Sequence, residues 1–165
     1  MSLGGEMRIL PALSAAISVA ATMAAADAVA PEAVAYGEYG EITESLSGQP
    51  GNPEEGIKVF TTRSLGNCVA CHTVTNLLET ASFHGNVGPS LDGVADRWNE
   101  AELRGIVANA KNVYDGTIMP AFYKTSGYIR PGDAFTTKPA TEPLPPLLTA
   151  QQIEDVVAYL MTLKE

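Results

Sequence analysis

Residues 66–72, Gly-Asn-Cys-Val-Ala-Cys-His, constrain this chain more than any other stretch, because they hold both of its cysteines. Two thiols three positions apart, followed at once by an imidazole, admit three chemistries: a disulfide, a metal site or a covalently held porphyrin. A thioredoxin-like redox pair needs a βαβ context, and no alternating apolar run is long enough to build a sheet. A zinc site needs four nitrogen or sulfur ligands, and beyond this cluster only His84 remains. A plain disulfide leaves His72 without a task. C-x-x-C-H is the attachment pattern of c-type haem. Each thiol adds across one vinyl group of the porphyrin edge to form a thioether, and the adjacent imidazole swings under the ring to ligate iron. One covalently bound haem is therefore expected, with Cys68 and Cys71 as its thioethers and His72 as an axial ligand.

Thioether attachment belongs to export, and the N-terminus agrees. Residues 1–28 carry Arg8, then an uncharged run rich in Ala and Leu, then small-residue patterns such as Ala24-Ala25-Ala26 and Ala26-Asp27-Ala28. That reads as a secretory signal peptide. A membrane anchor fits less well, since Ser14, Ser18 and Thr22 interrupt the run and a spanning helix needs about 20 strongly apolar residues. The expected location is the bacterial periplasm. The full chain of 165 residues has a formal charge of −9, so it lacks the clustered cations that nucleic acid demands. Residues 29–51 show no helical or strand period and are rich in Glu, Gly, Ser and Pro; the composition predicts a flexible N-terminal arm.

Residues 52–165 then read as a single all-α domain. Asn52 caps a helix that opens on Pro53 and runs to about Arg63. Asn99 caps a second over 100–113, with Leu103, Ile106, Val107 and Ala110 on one face. Thr149 and Gln152 form a capping box for the last helix, whose face is Ile153, Val156, Val157, Leu160 and Leu163. Ser90 is placed to cap a short helical turn through Leu91 and Val94. Residues 114–148 hold six of the prolines and predict an irregular loop. Such a domain has a thin core for its length, and a large apolar cofactor fills the deficit.

Iron has a sixth position, for which Met119, Met161 and His84 are the candidates once the signal is removed. Met161 lies within the last helix and suits a core filler. His84 lies in a Gly-bounded loop twelve residues after His72. Met119 precedes Pro120, which disfavours helix at that residue and keeps the chain extended. Met119 is thus the expected ligand, giving His/Met ligation. Trp98, the single tryptophan, reads as a half-buried helix-edge aromatic or a hydrogen-bond donor to a haem propionate.

The layout of a first helix with Gly56 and Phe60, C-x-x-C-H, Gly88-Pro89, Met119-Pro120 and a last helix with Tyr159 resembles the class I cytochromes c. The strings "GNCVACH", "GNVGPSLDGVADRW", "MPAFYK" and "LTAQQIEDVVAYLMTLK" narrow the likeness to the small monohaem SoxX subunits of the SoxAX thiosulfate-oxidising complexes, across about residues 52–165. The resemblance implies a class I cytochrome c fold, and a Pro89 carbonyl that orients His72. It also implies a larger SoxA-like catalytic cytochrome subunit as partner, and a soluble cytochrome c as electron acceptor. Thiosulfate is there joined oxidatively to a cysteine of a carrier protein, as in an L-cysteine S-thiosulfotransferase, and the small subunit receives the electrons. With both cysteines committed to haem, this chain has no thiol left for sulfur chemistry and no evident nucleophile–base pair, so no catalytic residue is assigned to it. A free, diffusing electron shuttle and a ligand-sensing haem protein are the competing readings. The arm and the 120–148 loop, longer than a bare shuttle needs, are candidates to wrap a partner.

Overall fold

The structure is a computed structural model that describes residues 1, 27–81, 83–129, 131–132, 138–140 and 143–165. The expected signal peptide falls, over residues 2–26, outside the described residues. Four α-helices carry the fold: α1 (Pro53–Thr61), α2 (Val94–Arg97), α3 (Glu100–Asn109) and α4 (Ala150–Leu160). Single 3₁₀ turns occur at Pro31–Ala33, Cys68–Ala70, Thr75–Leu77 and Ala110–Asn112. Among the described residues there is no strand, only an isolated bridge between Gly132 and Pro139.

The termini of the helices follow their local chemistry. Asn52 Oδ1 accepts the Glu54 and Glu55 N–H groups at the start of α1. Asn99 with Glu102, and Thr149 with Gln152, form reciprocal capping boxes at α3 and α4. α4 stops at Leu160, earlier than the apolar pattern suggests. The tail beyond it bends onto α2, where the Leu163 carbonyl accepts the Ala95 N–H (3.1 Å) and Leu163 is buried.

α1 crosses α4 with almost no gap. A Cβ on Gly56 would lie 2.0 Å from the Asp155 carbonyl oxygen, so only glycine allows the backbones this close. Beside the crossing, Phe60 and Tyr159 meet edge to face at 5.4 Å. Ile153, Val156, Val157, Leu160 and Leu163 all face the core as expected. On α3 the buried face is rotated from expectation: Ile106 is only half-buried, while Arg104 is buried beside Leu103 and Val107.

Arg104 explains the larger departure, which concerns residues 29–51. These are docked on the domain, contrary to the flexible arm expected from their composition. Arg104 Nε donates to both Glu154 oxygens (2.9 and 3.1 Å), and its Nη1 donates to the Ile42 carbonyl (2.9 Å). The Leu46 N–H donates to Glu154 Oε1 (2.7 Å), the Asn52 N–H to Asp155 Oδ1 (2.8 Å), and the Ile42 N–H to the Ala101 carbonyl (3.0 Å). Ile42 and Leu46 are buried beneath these bonds. The segment needs no period of its own because side chains from α3 and α4 satisfy its backbone.

Candidate functional site

The residues singled out around the cysteines come together within residues 66–93, between α1 and α2. Gly66 ties the loop back onto α1 by donating to the Val59 carbonyl (3.1 Å). Asn67 then takes the left-handed conformation (φ 47°), one of the few non-glycine residues that tolerates it. That reversal starts the Cys68–Ala70 turn, in which Cys71 and His72 both donate to the Cys68 carbonyl (3.1 and 2.9 Å). Cys68 opens the turn and Cys71 caps it, with no disulfide between them. Burial pushes the Cys68 thiol up to about 12, so it stays neutral in this apolar setting.

A second stretch, residues 85–91, zips along the first. Gly85 donates to the Val69 carbonyl, Gly88 to the Cys71 carbonyl and Leu91 to the Thr73 carbonyl (2.8, 2.8 and 3.0 Å). This pairing sets the Pro89 carbonyl 2.8 Å from His72 Nδ1. A carbonyl only accepts, so Nδ1 carries the proton and the neutral ring keeps its Nε2 lone pair for a metal. At Gly88 a Cβ would lie 2.3 Å from His72 Cε1, so the loop reaches the ring only because that residue has no side chain. Asp92 finishes the loop, accepting from the Thr75 N–H (2.9 Å), the Thr75 hydroxyl (2.8 Å) and the Ser90 hydroxyl (2.9 Å).

These features fit a c-type haem: two cysteines at the start and cap of one tight turn, an imidazole whose Nε2 lone pair is left for a metal, and a glycine-lined approach to that imidazole. They do not fit zinc, since no group of three or more His, Cys, Asp and Glu residues suited to a metal ion occurs among the described residues.

His84 stands on the same strip of chain as His72. Its Nδ1 accepts the Val74 N–H (3.3 Å), and its buried Nε2 has no partner among the described residues. Met119 arrives from a different element. It is half-buried, and both it and Cys68 pack against the common apolar core. The Thr117 hydroxyl accepts the Met119 N–H (3.2 Å), and Lys111 Nζ donates to the Thr117 and Met119 carbonyls (2.8 and 3.1 Å). Met161 caps α4 and packs against the core. Trp98 meets Tyr114 edge to face at 6.3 Å, as a half-buried helix-edge aromatic does. Sequence reasoning missed Asp92 and Lys111. Ser90-Leu91-Asp92 is a recognisable side-chain turn pattern, whereas nothing local marks Lys111.

The family described as Cytochrome c matches residues 53–164. Among solved structures, the chain is similar to one in the crystal structure of SoxXA from P. pantotrophus, with 57% sequence identity and a TM-score of 0.80. The match covers 84% of this chain and 100% of that one. No curated protein matches.

Proposed function

Because the chain belongs to the cytochrome c family, among its SoxX-like electron-transfer members, we propose that it is the electron-accepting subunit of a heterodimeric periplasmic cytochrome complex. That complex joins thiosulfate to a cysteine of a carrier protein. The chain carries one covalently bound c-type haem, which supplies a one-electron iron couple when bound. Cys68 and Cys71 form its two thioethers. His72, kept by the Pro89 carbonyl in the tautomer that leaves Nε2 for a metal, and Met119 would hold the iron.

In the coupled reaction the carrier thiol loses its proton. A sulfur–sulfur bond forms to the terminal sulfur of thiosulfate, and two electrons leave. This chain accepts them one at a time and passes them on to a soluble cytochrome c. Sulfur bond formation belongs to a larger SoxA-like subunit. The observation that carries this reading is that the chain's two cysteines, Cys68 and Cys71, begin and cap one tight turn that leads directly into His72, so that both would be used in attachment and none would remain for sulfur. The match to a chain of SoxXA supports the complex. No helix among the described residues is long and apolar enough to cross a membrane. The 29–51 segment packs on its own domain and leaves an outer face, with Tyr39 exposed, for a partner to cover.

Purification from the native host tests the assembly. The expected result is a second haem protein bound to this chain, and haem reduction on adding thiosulfate with reduced carrier protein. A chain that stays monomeric, with no second haem protein, overturns the complex and favours a diffusing shuttle. Met119→Ala tests the ligand: the sulfur–iron charge-transfer absorption of the oxidised protein should vanish; a band that persists passes the position to the other sulfur, Met161, and a parent protein without the band passes it to His84.

A further inference from the structure

We propose that Lys111 is a positioning residue for the Met119 sulfur, acting by gripping the backbone on either side of the Met119 amide; this rests on Met119 being an axial ligand. The segment from Tyr114 to Pro120 has neither helix nor strand. Most of it is exposed, with Ile118 prominently so and Gly116 in open space at φ +71°. Its own packing is therefore weak, yet a ligand loop must hold one conformation. Beyond Pro120, which has no N–H to donate, the Tyr123 N–H bonds the Ala108 carbonyl (2.9 Å). Before it, Lys111 Nζ bonds the carbonyls of both Thr117 and Met119. Ala108 lies in the last turn of α3 and Lys111 in the 3₁₀ turn that continues it. Two anchors on one helix end thus bracket Met119.

The helix end is itself fixed. The Asn109 side chain accepts the Lys111 N–H (3.3 Å), the Tyr114 N–H bonds the Ala110 carbonyl (2.9 Å), and Arg104 fastens α3 to α4 through Glu154. An ammonium is suited to this task because its three donors serve two carbonyls at once, and charge-assisted bonds are the stronger kind. An exposed lysine that merely contributes surface charge would leave the loop conformation unaltered.

Imidazole added to the oxidised holoprotein competes with a sulfur ligand and reads how firmly that ligand is held. Lys111→Met removes the donors at similar length. The expected result is imidazole binding tighter by roughly threefold to tenfold, the size of one partly exposed charged hydrogen bond. The sulfur–iron charge-transfer absorption should weaken at the same time. Lys58→Met, which removes an exposed lysine paired with Glu55, should change neither quantity. Imidazole affinity and absorption equal to the parent in Lys111→Met overturn the proposal. So does an equal change in Lys58→Met, which would trace the effect to net charge. Met119→Ala separates the two levels. If it abolishes the band while Lys111→Met matches the parent, only the Lys111 role fails. If the band survives in Met119→Ala, the ligand reading fails with it.

Discussion

Gly88 and Pro89 perform opposite services for one imidazole. The first withdraws its bulk so that the loop can lie against the ring, and the second supplies the carbonyl that fixes the ring's proton on Nδ1. A few residues on, Asp92 closes the loop that carries them. The hydrogen bond from the Thr75 N–H, with those of the Thr75 and Ser90 hydroxyls and the nearby Arg97 charge, holds its carboxyl below the usual value despite some desolvation. A depressed carboxylate stabilises the fold fully above the unfolded-state value, about 3.9, and loses that contribution as pH falls through the lower folded value. Asp92→Asn should therefore lower the melting temperature at about pH 7, and the gap to the parent should close in acid below about pH 3.9. A gap that stays constant down to about pH 2 would show that the ionised carboxylate is not what stabilises the loop. At this scale the sequence is highly legible. Cys68, Cys71 and His72 are local, and their spacing alone limits the chemistry. The Gly88–Pro89 service to His72 is not local; it came through resemblance, because seventeen positions separate His72 from Pro89.

Helices α1, α3 and α4 were readable from caps and apolar periods, since both are set by neighbours within a turn or two. Residues 29–51 were not, and the reason lies in α3 and α4. Arg104 and Glu154 stand among apolar neighbours on their helices, where a charged side chain ordinarily reads as a solvated face. Instead they pair at 2.9 Å, with side chains about 5% exposed, and offer their remaining valences to Ile42 and Leu46. A composition poor in apolar residues predicts disorder only if no other element satisfies its backbone. Breaking a buried pair by deleting one partner costs about 3–5 kcal/mol. Arg104→Leu should lower the unfolding free energy by that amount in urea, and the Ile42 and Leu46 amides should lose their protection from hydrogen exchange. A loss below about 1 kcal/mol, typical of an exposed pair, would mean that water screens this one.

Across the whole molecule, we expect the covalent haem to complete the core. Apolar side chains from α1, α3, α4 and the 121–123 segment converge on a cluster against which Cys68 and Met119 also pack. A domain of this size with so much loop buries limited surface by itself; a haem attached through thioethers stays on the chain when it unfolds, so it would stabilise the fold through the apolar surface it buries on folding. The double variant Cys68→Ser/Cys71→Ser, which cannot attach haem, should lose the cooperative thermal transition of the parent when followed by circular dichroism. A haem-free chain melting cooperatively within roughly 5 °C of the holoprotein, a difference near 1 kcal/mol, would show the core complete without it.

The sequence by itself determined the chemistry of attachment, the starts of α1, α3 and α4 and the all-α class, because each rests on residues close together along the chain. Tertiary structure decided the docking of 29–51, the burial of Arg104 and the bracketing of the Met119 loop by α3. Each of these joins groups from separate elements, and the joining bonds are made by side chains whose partners are set only when the helices pack. A lysine at position 111 has no distinguishing neighbour in the sequence. It acquires two carbonyls to hold only once the chain has turned back past it.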